Sequence, residues 1–251
     1  MITIKSDREI ELMKKAGRIV ARVLDELQPM IQPGITTAEL DRYAESRCKE
    51  LKVKPAFKGY NGFPGCLCIS VNEEVVHGIP SHKKKLQAGD IVGVDFGVIF
   101  DGWFGDSART FAVGTVSTDA QKLMDVTKEG LMRGIEQCHE GNRLFDIGNA
   151  IQNYVEGFGF TVVREFVGHG IGQALHEDPQ VPNFGPKGKG VPLKKGMVLA
   201  IEPMINAGRP EVKVLSDGWT AVTVDRSLSA HFEHTVAITG SGPQILTLDR
   251  D

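Results

Sequence analysis

Two apolar runs, each carrying a single carboxylate, decide the fold of this chain: Ile91-Val92-Gly93-Val94-Asp95-Phe96 and Met197-Val198-Leu199-Ala200-Ile201-Glu202. Short β-branched runs of this kind are typical of buried strands. An ionised carboxylate without a partner in such a strand carries a heavy desolvation penalty, which a bound cation offsets. The runs therefore predict two buried strands whose acids face a shared site. Buried acids that close turns through hydrogen bonds are the alternative.

The two runs occupy matching places in an internal repeat, a feature that local propensity cannot reveal. Several residue pairs share one separation of 107 positions, the difference between 141 and 34: Gly34 and Gly141, Leu40 and Ile147, Gly89 and Gly196, and Asp95 and Glu202. Each half consists of a long amphipathic helix, a glycine turn, a second helix, another glycine turn and an apolar strand with one acid. Two similar halves most simply pair about a pseudo-twofold axis, which would bring Asp95 and Glu202 together.

Capping patterns and apolar spacing predict two helices in each half. The pattern Ser6-x-x-Glu9 precedes a helix over about residues 7–28, and Thr36-x-x-Glu39 precedes the next helix. Residues 120–138 and 145–155 supply the equivalent helices of the second half.

Strands are predicted between the helices, where the sequence is short, β-branched and interrupted by glycine or proline. These stretches are 66–77, 90–100, 107–115, 160–167, 197–205, 212–215, 220–224 and 231–239. Helices followed by strands, rather than alternating with them, predict an α+β protein. We expect one catalytic domain over residues 1–251, with an internal repeat of roughly 1–107 and 108–251.

Composition and charge exclude several classes of protein. Hydrophobic residues make up 41% of the chain and charged residues 24%, and no run approaches the ~20 apolar residues of a membrane span. The N-terminus has no secretory-signal pattern, which predicts a cytoplasmic location. A net charge of -3 argues against specific nucleic-acid binding. The 4 cysteines are too few for a disulfide scaffold, so we expect reduced thiols.

A set of five side chains is the candidate ligand set of a two-metal site: Asp95, Asp106, His169, Glu202 and Glu233. Residues two apart share a strand face, so the neighbours of Asp95 on its face are Gly93 and Gly97. Glu202 shares its face with Ala200. Small neighbours leave room beside both carboxylates for metal ions.

The chemistry of this set favours hydrolysis. Taken singly, Asp106 fits a loop acid, His169 an incidental histidine among glycines, and Glu233 a salt-bridged strand residue. Together they form a hard, oxygen-rich ligand set. Such a set is better suited to binding Mn, Fe(II) or Co(II) than to forming a zinc site of the thiolate type. Two metals about 3.5–4 Å apart, sharing a hydroxide, would supply a nucleophile at neutral pH and polarise a carbonyl. The set therefore predicts metal-assisted amide hydrolysis.

A series of short motifs runs in order along the chain. They are Asn72-Glu73-Glu74-Val75-Val76-His77-Gly78-Ile79-Pro80, Gly89-Asp90-Ile91-Val92-x-x-Asp95, Gly105-Asp106, Gly168-His169-Gly170-Ile171-Gly172, His176-Glu177-x-Pro179, Ile201-Glu202-Pro203 and Glu233-His234-Thr235. Together they resemble type I methionine aminopeptidases over nearly the whole chain. The resemblance implies the α+β pita-bread (creatinase/aminopeptidase-like) fold, in which helices cover an antiparallel sheet core in two pseudo-symmetric halves. It also implies removal of the N-terminal methionine from nascent proteins and peptides whose second residue is small.

The resemblance implies a role for each candidate ligand. Asp95 would bind one metal, and His169 and Glu202 would bind the other. Asp106 and Glu233 would bridge the two. The implied cofactors are two divalent ions, namely Co, Mn or Fe(II), with Zn and Ni as further candidates.

The resemblance also implies the residues that act on the substrate. His77 would lie near the scissile amide, and His176 would donate to the carbonyl oxygen, an oxyanion-type contact that commonly contributes a few kcal/mol. Glu202 would serve as proton shuttle, which completes the catalytic set. An apolar methionine pocket would be lined by Tyr60, Phe63, Cys68 and Trp219.

Two other functions stay open on the sequence alone. Proline-specific peptidases of the same fold use a similar ligand set, but they usually carry a separate N-terminal domain and lack this form of the Val76-His77-Gly78-Ile79-Pro80 motif. A non-catalytic binding module would be expected to have substituted ligands. The start of the chain at the first catalytic helix favours the short bacterial form.

The expected partners are nascent polypeptide N-termini, and we expect a monomer without membrane contact. The basic clusters at Lys83-Lys84-Lys85 and at Lys187, Lys189, Lys194 and Lys195 fit solvated loop charge. A transient ribosome contact is the alternative for these clusters.

Overall fold

The computed structural model describes residues 1–249, which form helices and antiparallel strands. The α-helices are α1 (Asp7–Leu27), α2 (Thr37–Glu50), α3 (Thr118–Ile135) and α4 (Leu144–Glu156), with short 3-10 turns at Gln28–Met30 and Tyr60–Gly62. The strands are β1 (Lys54–Pro55), β2 (Leu67–Val71), β3 (Glu74–Val76), β4 (Ile91–Phe100), β5 (Trp103–Ala112), β6 (Thr161–Val162), β7 (Gly168–Gly170), β8 (Glu177–Val181), β9 (Val198–Ile201), β10 (Met204–Asn206), β11 (Val212–Val214), β12 (Ala221–Thr223), β13 (Ser229–His231), β14 (His234–Thr239) and β15 (Gly242–Ile245). The α+β prediction is confirmed. None of the helices among these residues is long and apolar enough to cross a bilayer.

The helices begin where the capping patterns predict. The Ser6 N–H donates to the Glu9 carboxylate at 2.7 Å, and the Thr36 N–H donates to the Glu39 carboxylate at 2.8 Å. In both boxes the N-cap hydroxyl accepts from the glutamate N–H in return. α3 begins two residues earlier than predicted, because the Ser117 hydroxyl caps it by accepting from a backbone N–H.

Some strands differ from the prediction for local reasons. The stretch 66–77 forms two strands, β2 and β3, because Asn72 takes a left-handed backbone conformation with φ 55 between them. The stretch 160–167 keeps only the two residues of β6. β7 and β8 were not predicted, because their glycine-rich and polar sequences show no apolar alternation.

The two apolar runs become central strands of the two largest sheets. β4 pairs with β1, β2 and β5, and β9 is the middle strand of the order β15-β14-β9-β7-β8. Two three-stranded sheets, β13-β10-β6 and β11-β12-β3, complete the strand pairing. Asp95 lies within β4, and Glu202 follows the last residue of β9.

The separation of 107 positions also relates structural elements. α2 begins at Thr37 and α4 at Leu144, while β4 begins at Ile91 and β9 at Val198. Isolated strand bridges join Thr36 to Lys85 and, at the same separation, Arg143 to Pro192. These correspondences agree with the repeat, while the single catalytic domain and its division near residue 107 stay predictions.

Each pair of helices covers one of the large sheets. Val92, Val94 and Phe96 of β4 are fully buried in one core cluster with α1 and α2. Leu199 and Ile201 of β9 are buried with α3 and α4 in another. The alternate residues on each strand, which include Asp95, are thereby directed away from the helices and towards the site.

α1 lies unusually close to β5. A Cβ atom on Gly105 would lie 2.7 Å from the Gly17 backbone nitrogen and 2.8 Å from the Ala16 carbonyl carbon. Real Cβ atoms do not approach backbone this closely, so glycine at position 105 is what allows the helix to rest on the strand that carries Asp106.

We expect Gly105→Ala to push α1 away from β5 and to lower the free energy of unfolding by about 1–3 kcal/mol, the usual cost of overpacking. Urea unfolding followed by circular dichroism measures the change. Gly240→Ala is the matched control, because a Cβ there meets no atom within 4 Å. Equal unfolding midpoints for the two variants would contradict the packing argument.

Candidate active site and metal centre

A cavity of about 280 Å³ is the candidate site. It is lined by every residue that the sequence nominated: the candidate ligands Asp95, Asp106, His169, Glu202 and Glu233, the histidines His77 and His176, and the pocket residues Tyr60, Phe63, Cys68 and Trp219. Residues from both halves of the sequence thus meet at one place. The individual roles of these residues stay predictions.

Hydrogen bonds between distant segments fix Asp106 and Glu233. The Thr235 hydroxyl donates to the Asp106 carbonyl at 2.7 Å and accepts from the Asp106 N–H at 3.2 Å. The Ser107 hydroxyl donates to the Glu233 carbonyl at 2.6 Å, and the Glu233 N–H donates to the Ala108 carbonyl at 2.8 Å. β5 and the segment that begins β14 are therefore locked in register, which leaves both carboxylates free to face the cavity.

His169 is oriented for ligation. Its Nδ1 lies 2.9 Å from the Gly170 carbonyl oxygen, so this nitrogen carries the proton and donates. The other nitrogen, Nε2, is left with its lone pair and lies 3.4 Å from Glu202 Oε1. Such an arrangement, with one ring nitrogen tied to a carbonyl, is usual for histidines that bind metals.

Several carboxylate oxygens in the cavity are buried without a hydrogen-bond donor. Within residues 1–249, Asp95 Oδ1, Asp106 Oδ1 and Glu233 Oε1 are buried and accept no hydrogen bond. Three ligand atoms lie within 4.8 Å of one another, one each from Asp106, His169 and Glu233. Hard oxygen atoms and one imidazole, close together and otherwise unsatisfied, fit a divalent cation.

Burial and mutual repulsion raise the pKa values of the four acids in the cavity. Burial, followed by repulsion from neighbouring carboxylates, holds the pKa values of Asp95, Glu202 and Glu233 well above their ordinary range. Burial also raises the pKa of Asp106 to about 7. Because these groups cannot all ionise beside one another, the site needs positive charge from outside the chain to hold them as carboxylates.

Burial also affects His77 and His176, the two cavity histidines that are predicted to contact substrate. Burial lowers the pKa of His77 to about 4, with a smaller contribution from His176, and burial also lowers the pKa of His176. His77 has a left-handed backbone with φ 61, an uncommon conformation for histidine, and its ring meets the Phe166 ring edge-on with centroids 5.4 Å apart. His176 Nδ1 lies 2.8 Å from the Tyr60 hydroxyl.

Aromatic rings form one wall of the cavity. The Phe63 and Trp219 rings meet edge-on with their centroids 5.1 Å apart. The His77 and Trp219 rings also meet edge-on, with their centroids 6.4 Å apart. Phe63 and Cys68 are buried, whereas Tyr60 is 37% exposed and lies at the mouth. This wall of the cavity is therefore largely apolar.

His231 is a cavity residue that the sequence analysis missed. It is buried, its Nε2 lies 3.8 Å from Glu202 Oε2, and that nitrogen has no hydrogen-bond partner among the described residues. The two oxygens of Glu202 therefore each face an imidazole, His169 on one side and His231 on the other. Sequence spacing gave no usable signal for His231, because β13 ends at His231 and Glu233 lies between β13 and β14, so the two residues do not share a strand face.

The profile of metallopeptidase family M24 matches residues 11–240. The chain belongs to this family. It is 56% identical over 248 residues to a protein named methionine aminopeptidase from Clostridium acetobutylicum, and the match covers 99% of both chains. The resemblance inferred from the motifs is thereby confirmed, and this M24 protein is a metallopeptidase.

Solved structures agree with this assignment. The crystal structure of methionine aminopeptidase from Thermotoga maritima superposes with a TM-score of 0.97 at 51% identity, covering 99% of this chain and 100% of that one. A prolidase from Pyrococcus furiosus superposes with a TM-score of 0.79 at 24% identity over 99% of this chain and 66% of its own, which shows a shared fold alone. The predicted pita-bread fold is confirmed.

We expect binding of a divalent ion to release protons near neutral pH. The raised pKa values mean that the metal-free site holds protons which the ion must displace, so affinity rises with pH and falls as the pH drops below the value of about 7 for Asp106. Titration calorimetry with Mn(II), in two buffers of different ionisation enthalpy at one pH, counts the protons released.

Asp106→Asn serves as the comparison in the same titrations. It removes one titrating ligand and should lower both the metal stoichiometry and the number of protons released. A binding enthalpy independent of the buffer in the wild-type protein would refute the expected displacement.

Proposed function

We propose that this chain is a methionyl aminopeptidase, which hydrolyses the first peptide bond of polypeptides that begin with methionine and continue with a small residue. The observation that carries the proposal is the single cavity in which a cluster of unsatisfied carboxylates and imidazoles adjoins an apolar aromatic wall. The cluster supplies the hydrolytic chemistry, and the wall supplies a place for the methionine side chain. The names of the close relatives support this substrate.

The proposed cofactor is a pair of divalent ions. Asp95, Asp106 and Glu233 would hold one ion, and His169 and Glu202, with the same two bridging acids, would hold the other. Bound ions would polarise the scissile carbonyl and provide a nucleophile at neutral pH. The ligand chemistry is compatible with Co, Mn, Fe(II), Zn or Ni.

The chain's own residues would place the substrate and move protons. If the Tyr60 hydroxyl donates to His176 Nδ1, the imidazole proton resides on Nε2, which can donate to the carbonyl oxygen as negative charge develops there. His77, held between Phe166 and Trp219, would contact the scissile amide. Glu202, whose raised pKa favours proton uptake, would accept a proton and return it to the departing amine.

The pocket and its surroundings explain the proposed selectivity. The apolar wall of Phe63 and Trp219 accepts the methionine side chain, and buried Cys68 closes the cavity nearby. The packed rings of His77 and Phe166 restrict the room beside the scissile bond, which favours a small second residue. The proposed partners are nascent polypeptide N-termini, met in the cytoplasm by a monomer that binds no nucleic acid specifically. A transient ribosome contact is proposed through the basic clusters at Lys83-Lys84-Lys85 and at Lys187, Lys189, Lys194 and Lys195.

The alternative functions have less support. Prolidases share the fold, but at 24% identity the likeness extends no further. A non-catalytic module would not be expected to retain all five candidate ligands around one cavity.

A substrate panel tests the proposal. We expect the protein supplied with Mn(II) or Co(II) to release methionine from Met-Ala-Ser, and to act far more weakly on a Met-Lys peptide because the second side chain has little room. Chromatographic detection of free methionine measures the rates. Cleavage of Xaa-Pro peptides alone would contradict the proposed methionyl aminopeptidase activity.

Replacing His77 by alanine tests its role apart from metal binding. Because His77 is expected to contact substrate and not metal, His77→Ala should lower kcat/KM by about tenfold or more, in keeping with the loss of a contact made during reaction. Metal stoichiometry by calorimetry should stay at the wild-type value. Glu202→Gln is the comparison variant and should bind less metal; reduced metal content in His77→Ala would show that its assignment is wrong.

A further inference from the structure

A buried ion pair lies behind the loop that carries His176. Lys5 Nζ lies 2.6 Å from Glu177 Oε2, and the two side chains are 1% and 14% exposed. Lysine is almost never fully buried unless it is paired. The segment before α1 therefore contacts the first residue of β8, 172 positions away in the sequence and directly after His176.

The second oxygen of Glu177 holds the backbone of this loop. Glu177 Oε1 accepts from the Gln173 N–H at 2.9 Å and from the Ala174 N–H at 3.2 Å. His176 is the residue directly before Glu177 in the sequence. One carboxylate thus joins Lys5 to the turn that ends in His176.

Two glycines allow the N-terminal segment to reach this place. A Cβ on Gly172 would lie 2.7 Å from Lys5 Cε and would also collide with the Glu177 carboxylate. A Cβ on Gly196 would lie 2.7 Å from the Lys5 carbonyl oxygen, and the Lys5 N–H donates to the Gly196 carbonyl at 2.7 Å. Lys5 is consequently fixed at its backbone as well as at its ammonium group.

Among residues 1–249, the side chain of His176 has one hydrogen-bond partner, the Tyr60 hydroxyl, which lies 2.8 Å from His176 Nδ1. Tyr60 is 37% exposed and stands on a short turn, so it is a weak anchor by itself. The rigid support of the loop comes from the other side, through Glu177 and Lys5.

We propose that Lys5 is a positioning residue for His176. Its ammonium group fixes Glu177, and Glu177 fixes the turn at residues 173–176 so that the imidazole faces the substrate carbonyl. Removing one member of a buried pair leaves the other charge uncompensated. Without Lys5, Glu177 turns towards solvent and releases the two N–H groups that it holds. The catalytic part of this inference rests on the proposed function.

Hydrogen exchange tests the structural step without any assay of activity. Lys5→Met keeps the length of the apolar stem and removes the charge. Faster exchange is expected at the amides of Gln173 and Ala174, relative to Lys15→Met, a change to an exposed lysine on α1. Wild-type exchange at these two amides would overturn the proposal, whatever the activity of the protein.

A double-mutant cycle tests the catalytic step. If Lys5 acts through His176, Lys5→Met should lower kcat/KM by about tenfold in the wild-type background and by less than about twofold in His176→Ala, since coupled residues are not additive. Lys5→Arg, which retains a cation, should restore much of the loss. An equal factor in both backgrounds would show a purely structural effect and overturn the assignment.

If Lys5→Met does not fold, Lys5→Met/Glu177→Gln takes its place in both experiments. That variant leaves neither charge buried alone, and the glutamine cannot be fixed by a cation, so the same outcomes are expected. Absence of methionine release by the wild-type protein would defeat the proposed function, whereas the exchange result decides the positioning of the loop separately.

Discussion

The main physical constraint on this structure is the electrostatic repulsion among the carboxylates that are buried around one cavity. Burial alone raises the pKa of each acid, and each then raises the others further. A chain selected for stability alone would replace them with apolar residues of similar volume, because buried charge is expensive unless it is well paired. Their retention in strands such as β4 is the physical signature of a site built around external positive charge.

The hydrogen bonds around the cavity serve this constraint. The paired bonds between Thr235 and Asp106, and the bond from the Ser107 hydroxyl to the Glu233 carbonyl, satisfy backbone groups and leave the carboxylate oxygens directed inwards. His169 is fixed through its other nitrogen in the same way. These hydrogen bonds therefore hold the candidate ligands in place and do not neutralise their charge.

Sequence alone could predict the parts of the fold that have local signals. The capping boxes at Ser6 and Thr36 located two helices, and the apolar runs that contain Asp95 and precede Glu202 located the central strands. The motifs contain all the candidate metal ligands and both candidate histidines, and these residues line the cavity together with Tyr60, Phe63, Cys68 and Trp219, which lie outside the motifs. β7 and β8 escaped prediction because their polar and glycine-rich sequences form strands only through pairing with neighbours.

Contacts between residues far apart in the chain could not be predicted from the sequence either. His231 is noticed only when its nitrogen is seen beside Glu202, and Lys5 only when its ammonium is seen beside Glu177. Neither belongs to a pattern, since a single histidine or lysine has many ordinary explanations. Such residues become recognisable through burial and distance, which no local spacing encodes.

The Asp106, His169 and Glu233 cluster has a consequence beyond catalysis. Its members come from segments far apart in the chain and lie together only in the folded state, so an ion held between them would bind the folded state alone and stabilise it. A protein whose charge balance is completed from solution has a lifetime that depends on the composition of that solution. The supply of divalent metal would then govern how many folded molecules persist, as well as how fast each one works.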